Sequence, residues 1–399
     1  MRSMLLAGAA LAAAAPACAQ DIKPLAEVRA RYEHVEQGGL PLDSDAVTVR
    51  VRAGVQISHG SWSALAEAQG NMAVGDAYYD GLHGAATRPL VADPENIALY
   101  RAQIQYRSAP LTFTAGRQRI MLDDERFVGN AGIRQSAQTF DAARAEVTPV
   151  KGLKLDLSYV WDLRTVWGVE GNGARQQGVS GDNILANLSY ATPVGTLTGF
   201  AYLIDQDEAA VQGYRLSSQS YGVRLAGARP LGGGVKVGWQ LSHAWQSSYH
   251  RNPNDYAASY WLADASLELR GWKLGAGYEV LGADKGVALT SFQTPLGSVF
   301  KFQGWADKFT ATPPDGIRDL YASLGYGWKA LGPFKGVTLQ AAYHRFESDR
   351  VMRHYGDEID LLASGKLGKT MLSVRYADYN ADLLLTDTRK LWLQLDWAI

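Results

Sequence analysis

Five arginines lie within one segment, Gly116 to Glu146, among several glutamine and asparagine side chains. Arginine keeps its charge at physiological pH and offers a planar fork of donors that matches carboxylate and phosphate groups. The centre of the segment is longer than an ordinary connection, and loops beyond about 12–15 residues are usually functional or disordered. The segment therefore predicts a polar loop at or inside the mouth of a pore, where its arginines contact anions.

The chain outside this loop alternates between apolar and polar residues, which predicts β-strands. In Ala26–His34 and Val47–Ser58, alanine and valine alternate with charged side chains such as Arg29 and Arg50. Arginine at the midplane of a bilayer costs roughly 2–4 kcal/mol, so we expect the charged face to line a lumen. The predicted pore-lining residues are Arg29, Arg31, Arg50, Arg52, Arg101, Arg107, Arg117, Arg119, Arg126, Arg134, Asp141 and Arg144.

Two of these arginines conflict with simple alternation. Arg117 and Arg119 share their parity with the apolar residues Leu111 and Phe113, which should face lipid. A β-bulge or a strand end before Arg117 is needed to turn both side chains into the lumen. An alternative role for the whole set is structural, because wall arginines can pair with wall glutamates such as Glu27 and brace a barrel.

The repeated alternation predicts an all-β fold, a transmembrane antiparallel β-barrel of about 18 strands with long outer loops. Short and long connections alternate along the chain, as in bacterial barrels with even strand numbers. Val299–Trp305 also resembles a strand, but it would make the count odd, so we assign it to a loop. A mean hydropathy of −0.17 and outward tryptophans and tyrosines near strand ends agree with this fold. The alternative is a soluble β-sandwich.

The N-terminus predicts export. Arg2 precedes an apolar stretch, and Ala17-Cys18-Ala19 offers the small residues that a signal peptidase requires. We therefore predict a signal peptide over residues 1–19 and one barrel domain over residues 20–399, in the outer membrane of a Gram-negative bacterium. Lipidation at Cys18 is the alternative. The last residues, Leu391–Ile399, are typical of a signal for the barrel-assembly machinery, which we expect as a partner together with outer-membrane lipid.

The arginine-rich segment resembles the signature of the alginate export family. The matching residues are Gly116, Arg117, Gln118, Arg119, Arg126, Phe127, Gly129, Asn130, Arg134, Gln135, Phe140, Asp141 and Arg144. A second run, Thr294–Phe309, is similar to a later stretch of the same family. The resemblance implies a barrel of about 18 strands whose arginine-lined lumen passes an anionic uronic-acid polymer.

Together these features predict a passive channel for an anionic, uronate-type polysaccharide or oligosaccharide. Periplasmic polysaccharide-synthesis proteins are candidate partners, whereas no cofactor, metal or nucleic acid is expected. A general or small-anion uptake porin is the alternative within transport. An outer-membrane barrel hydrolase is the alternative of another class, but the seven histidines are scattered over different strands and loops, so no catalytic group is predicted.

Overall fold

A computed structural model describes residues 21–207 and 213–399. Within them, eighteen antiparallel strands form a single sheet that closes where β1 pairs with β18. The predicted signal peptide lies outside the described residues. The strands are β1 (Asp21–Gln37), β2 (Ser44–His59), β3 (Trp62–Ala73), β4 (Asn96–Ser108), β5 (Leu111–Gln118), β6 (Thr139–Val150), β7 (Leu153–Arg164), β8 (Gly178–Thr192), β9 (Gly195–Ile204), β10 (Ser218–Gly232), β11 (Val235–Ser248), β12 (Ala257–Leu269), β13 (Trp272–Leu281), β14 (Ile317–Leu331), β15 (Phe334–Glu347), β16 (His354–Leu367), β17 (Thr370–Ala381) and β18 (Thr388–Ala398).

The register of the first two strands shows how alternation places side chains. Val28 pairs with Val51, and Arg29 pairs with Arg50 on the opposite face. Val51 is 47% exposed on the outside of the barrel, whereas Arg50 is 3% exposed on the inside. Because successive side chains of a strand point to opposite faces, the alternating sequence gives an apolar outer wall and a polar lumen.

The two ends of the barrel differ in their connections. Every link from an even-numbered strand to the next strand contains two residues, whereas the links between β3 and β4, β5 and β6, and β13 and β14 are long. We call these ends the short-turn end and the long-loop end. Val299 lies in the β13–β14 loop, where Val299–Lys301 forms a single 3₁₀ turn, so the prediction that this segment is not a strand is confirmed.

Outward tyrosines mark the rim of the barrel near the long-loop end. The hydroxyl of Tyr32 donates to Asp45 at 2.6 Å, and that of Tyr343 donates to Asp357 at 2.7 Å. A tyrosine side chain presents an apolar ring and a polar hydroxyl tip, which suits the boundary between the hydrocarbon core and the lipid headgroups. Among the described residues, no helix is long and apolar enough to cross a membrane.

The main packed core lies inside the barrel, where two long loops fold onto the wall. Phe127 of the β5–β6 loop contacts Phe200, Tyr260 and Phe292, with ring centroids 5.0, 5.0 and 5.8 Å away. Phe292 itself belongs to the β13–β14 loop. This aromatic packing holds both loops within the lumen, so they narrow the channel between them and the rest of the wall.

Candidate channel interior

Arg126 anchors the β5–β6 loop to the opposite part of the barrel. Its Nε donates to Glu279 Oε1 of β13 at 2.7 Å, and its Nη2 donates to Gln303 Oε1 of the β13–β14 loop at 3.0 Å. The guanidinium also lies 4.7 Å from the centre of the Phe302 ring. At 1% exposure Arg126 is fully buried. Predicted as a pore-lining residue, it instead joins two loops to the wall.

A second ion pair joins the same two loops. Lys301 Nζ donates to Glu125 Oε1 at 2.9 Å, and Ser298 Oγ donates to Glu125 Oε2 at 2.7 Å. Partial burial raises the pKa of Glu125, but these donors outweigh burial and leave the pKa below its ordinary value. The carboxylate therefore stays ionised and keeps the β5–β6 loop attached to the β13–β14 loop.

Two arginines of β1 hold the part of the β5–β6 loop that contains Gly132 and Ile133. Arg29 Nη1 donates to the carbonyl oxygens of Gly132 and Ile133 at 2.9 and 3.2 Å. Arg31 donates to the Ile133 carbonyl and, at 3.1 Å, to Asp93 Oδ2. These two side chains point into the barrel, where their donors are largely occupied by loop backbone and by an acid.

Arg134 of the β5–β6 loop has its partner in the β13–β14 loop. Its guanidinium forms an ion pair with Asp307, which belongs to the β13–β14 loop. The β5–β6 loop is thus connected to the β13–β14 loop at both of its halves, through Arg126 and through Arg134. Neither arginine is left without a partner, so neither carries the unsatisfied positive charge that an anion would require.

Three further predicted residues, Arg101, Arg107 and Arg144, lie on the lumen-facing side of the barrel wall. Arg101 Nε donates to Glu67 at 2.6 Å, and Arg144 donates to both carboxylate oxygens of Asp156 at 2.8 and 2.6 Å. Arg107 lies near the short-turn end and contacts the Gln105 amide oxygen at 3.0 Å. The pairs of Arg101 and Arg144 join neighbouring strands, as the bracing alternative predicts.

The placement of Arg117 and Asp141 in the pore lining is wrong. The register of β5 is continuous through Gly116, where Arg117 pairs with Ala102 of β4 and with Asp141 of β6. Ala102 lies two residues from Ile104 and therefore on the same, outer face of β4. Ile104 is 58% exposed on that face. Because no bulge intervenes in β5, both side chains point outward. Arg117 Nε and Nη2 each lie 2.8 Å from one oxygen of Asp141, so the charges neutralise each other near the strand ends, where the cost of charge in lipid falls.

Arg119 does turn inward, because β5 ends one residue before it. Its guanidinium lies 5.1 Å from the centre of the Tyr100 ring, and that of Arg52 lies 3.8 Å from the same ring. The alternation of the sequence did not identify Tyr100 as an interior residue. A register shift between β3 and β4 pairs Glu67 with Arg101 and the next residue, Ala68, with Leu99. Tyr100 is left as the extra residue of a bulge, and its side chain is buried.

Arg50, Arg52 and Arg119 surround Tyr100, and we call these four residues the arginine cluster. Glu27 contacts two of them, at 3.2 Å from Arg50 and 2.5 Å from Arg52. Several buried donors of the cluster have no hydrogen-bond partner among the described residues. They are Arg50 Nε and Nη1, Arg52 Nη2, Arg119 Nε and the Tyr100 hydroxyl.

Buried donors are nearly always satisfied in folded proteins, so a group of unsatisfied donors indicates bound water or a ligand. The three guanidiniums have two nearby carboxylates, because Arg50 and Arg52 share Glu27 and Arg119 lies 4.0 Å from Glu67. The Arg119 side chain is 29% exposed and borders the open lumen. The arrangement can therefore accept an anion that reaches it past Arg119.

The histidines form no hydrolytic group in the described part of the chain. His344 contacts Asp319 at 2.9 Å and His243 contacts the Tyr260 carbonyl at 2.8 Å, whereas none of the described histidines hydrogen-bonds a serine hydroxyl. His243 also stacks on Trp261, with ring centroids 3.6 Å apart. These contacts position histidines beside acids and aromatic rings.

The closed barrel fold of this chain is shared by several solved structures. The solved structures of OpdL from Pseudomonas aeruginosa and OccAB4 from Acinetobacter baumannii superpose with TM-scores of 0.70 and 0.74 at 16% and 12% identity. Each alignment covers 95% of this chain, with 99% of OpdL and 98% of OccAB4. OpdK from Pseudomonas aeruginosa, solved with vanillate, gives a TM-score of 0.70 at 12% identity, covering 95% of this chain and 98% of OpdK.

The alginate export family model matches residues 26–279, more than half of the chain. The chain belongs to the alginate export family, and the resemblance read from the arginine-rich segment is confirmed. The second run, from Thr294, lies beyond the matched residues. No curated protein sequence matches the chain significantly.

Proposed function

We propose that the protein is a passive outer-membrane channel for an anionic, uronate-type polysaccharide or oligosaccharide. The observation that carries the proposal is the set of unsatisfied buried donors in the arginine cluster, inside a barrel of the alginate export family. A uronate residue brings one carboxylate per sugar, which matches guanidinium groups that outnumber their acid partners and keep unsatisfied donors. Cleavage of the signal peptide and contact with the barrel-assembly machinery and periplasmic polysaccharide-synthesis proteins are parts of the same proposal.

The expected strength of binding suits passage better than capture. A solvated ion pair contributes about 0–1 kcal/mol. Four or five such contacts along the wall would approach the roughly 4 kcal/mol of a millimolar site. A sugar chain bound this weakly exchanges its carboxylates between successive arginines. The Debye length is about 8 Å at physiological salt, so the wall charge still acts on an ion that passes within that distance of the wall.

The test of this proposal is the reversal potential of the refolded protein in a planar bilayer under a salt gradient, repeated with oligouronate added. We expect anion selectivity and oligomer-dependent block, both weakened in Arg50→Ala plus Arg52→Ala, with the block constant rising about tenfold. The matched control is Arg345→Ala plus Arg389→Ala, which removes the same charge from exposed side chains on the outer rim.

Three outcomes separate the candidates. Selectivity without block by oligouronate favours the small-anion uptake porin, because wall charge alone attracts small anions through the narrowed lumen. Unselective conductance leaves a general porin and contradicts a role for the arginine cluster. Equal losses in the cluster variant and the rim control would show that net charge, and not the cluster, sets selectivity.

A further inference from the structure

Two carboxyl groups, those of Glu358 and Asp360, lie side by side beneath the β13–β14 loop. They belong to the inward face of β16, because residues two apart in a strand share a face. Both residues are 0% exposed, and their side chains are within hydrogen-bond reach of each other. We call these two groups the carboxyl pair.

The hydrogen bonding of the carboxyl pair is incomplete. Glu358 Oε1 accepts from the backbone N–H of Ala306 at 2.6 Å. Within residues 21–207 and 213–399, Glu358 Oε2 and both carboxylate oxygens of Asp360 have no hydrogen-bond partner. Buried polar atoms are nearly always satisfied in folded proteins. One proton between the two side chains would satisfy Glu358 Oε2 and one oxygen of Asp360 at the same time.

The charged groups around the pair leave it without a full complement of cations. Among the described residues, His344 of β15 is the sole basic side chain that forms an ion pair with either carboxyl group, 3.7 Å from Asp360, and its Nδ1 contacts Asp319 of β14 at 2.9 Å. The other titratable groups that face this region are Glu279 of β13, paired with Arg126, Arg375 and Tyr379 of β17, Lys390 of β18 and Lys308 of the β13–β14 loop.

Two carboxylates that share a buried site repel each other, so the pair ionises in two steps and holds one proton between them. Donors stabilise the ionised form of a carboxyl group. Because the N–H of Ala306 donates to Glu358, Glu358 is the ionised member and Asp360 carries the proton.

The carboxyl pair supports residues 304–308 of the β13–β14 loop, which we call the held segment. Gly304 packs so closely on Glu358 that a Cβ there would lie 2.3 Å from the Glu358 Cδ. Ala306 is 1% exposed. Water therefore reaches the carboxyl pair only if the held segment moves away from the wall. A second negative charge in the pair requires that water, because an unhydrated buried charge is costly.

We propose that the carboxyl pair is a proton-operated switch that holds the β13–β14 loop against the barrel wall. While Asp360 keeps its proton, the held segment stays on the wall. When this proton passes to a base in solution, the two carboxylates repel each other and become hydrated, and the held segment leaves the wall. This regulation does not depend on the solute of the channel, so it goes beyond the function proposed above.

The pH dependence of this switch has a definite sign. The closed state binds one proton more than the released state, because a hydrated aspartate is ionised at neutral pH. A rise in pH therefore favours the released state. The ratio of released to closed molecules should rise by about tenfold per pH unit until the closed pair also loses its proton.

The reactivity of a thiol in the held segment measures the release. Cys18→Ser removes the sole natural cysteine, and Ala306→Cys then places one thiol under the loop. Thr310→Cys places a control thiol at an exposed position of the same loop, outside the held segment. Modification by a methanethiosulfonate reagent is followed on the refolded full chain in lipid vesicles, from about pH 6 to about pH 9. Dividing the two rates cancels the rise in thiolate with pH.

We expect the rate ratio of Ala306→Cys to Thr310→Cys to rise with pH by up to about tenfold per unit. In the cysteine-free protein, the single-channel current should become noisier over the same range. A rate ratio that stays constant with pH would overturn the proposal. A pH-dependent current with a constant rate ratio would overturn it too, because wall charge alone would then explain the current.

Two variants test whether the carboxyl pair is the trigger. Asp360→Asn and Glu358→Gln each limit the pair to a single negative charge, so each should abolish the rise of the rate ratio. The matched control is Asp264→Asn, which removes an inward carboxyl group that accepts from the Tyr321 hydroxyl at 2.9 Å, and which should keep the rise. Either pair variant is sufficient if the other does not refold. A rise that persists in the pair variants, or an equal loss in Asp264→Asn, would contradict the switch.

The switch and the proposed function can fail independently. Arg50→Ala plus Arg52→Ala, which should weaken the anion selectivity, should leave the rate ratio within about twofold of the parent at each pH. Asp360→Asn should conversely leave block by oligouronate at neutral pH unchanged, because the pair then has the same single charge as in the closed parent.

Discussion

Arg126→Leu should destabilise the barrel by about 3–5 kcal/mol, because it leaves Glu279 buried without its partner. The Arg126 guanidinium contacts Glu279, Gln303 and the face of the Phe302 ring at once. In the variant, Glu279 keeps only the neutral donors of Tyr260 and Gln303, so its buried charge loses the cation that compensates it. With this anchor lost, the β5–β6 loop should leave the wall for part of the time. We expect a higher and noisier single-channel conductance.

Urea unfolding in lipid vesicles measures the first effect, and bilayer recording measures the second. The control is Arg251→Leu, which removes an arginine that is 61% exposed and paired with Asp207, and which should change stability by less than about 1 kcal/mol. Adding Glu279→Gln to Arg126→Leu should recover part of the lost stability, since the uncompensated charge is gone. A variant as stable and as quiet as the parent would contradict the anchoring role of Arg126.

Gly304→Ala should displace the β13–β14 loop from the wall. Gly304 has a φ of +77°, and a Cβ there would lie 2.3 Å from the Cδ of Glu358. Glu358 accepts a hydrogen bond from the backbone N–H of Ala306 at 2.6 Å, so it cannot retreat without losing that contact. Left-handed backbone costs a non-glycine residue about 1–2 kcal/mol, and overpacking adds about 1–3 kcal/mol.

A second glycine separates these two contributions. Gly336 has a φ of +58°, and a Cβ there would meet no atom within 4 Å. Gly336→Ala should therefore cost only the backbone term of about 1–2 kcal/mol and leave conductance unchanged. Gly304→Ala should cost more and alter conductance, because it moves a loop inside the lumen. Equal losses of stability in the two variants, with equal currents, would contradict the close contact between Gly304 and Glu358.

The two predictions share one physical basis. The loops inside the barrel are held by a small number of buried polar contacts, and the loss of a single partner leaves another group uncompensated in a site that water enters poorly. By contrast, wall pairs such as Lys154 with Glu146, which join β7 and β6, remain exposed to solvent. Their loss should be milder, because solvent screens the charge that remains.

Alternation along the strands was sufficient to predict the barrel, its lumen and the inward direction of Arg50 and Arg52. The period of two is a local property of the chain, because each Cβ in a strand points opposite to its neighbour. The lengths of the connections were likewise local, so the sequence was enough to predict about 18 strands and to exclude Val299–Trp305 from them.

Local rules failed where the register was irregular or where a strand ended. A bulge turns Tyr100 inward, whereas β5 stays regular through Gly116 and directs Arg117 outward. The sequence around both sites contains alternating residues, and it carries no feature that identifies which of the two strands bulges. Hydrogen bonding to the neighbouring strand decides this, and that neighbour is defined only in the folded sheet.

The sequence by itself determined that this protein is a barrel with arginines along its lumen and in one long loop. Only the tertiary structure decided which of those arginines have partners, because the acids that neutralise them come from distant parts of the chain. Arg126 meets Glu279 and Arg134 meets Asp307, 153 and 173 residues away, whereas the donors of Arg50 and Arg52 remain partly unsatisfied. Charge is a property of a residue, but its availability to a ligand depends on which groups the fold brings within hydrogen-bond distance.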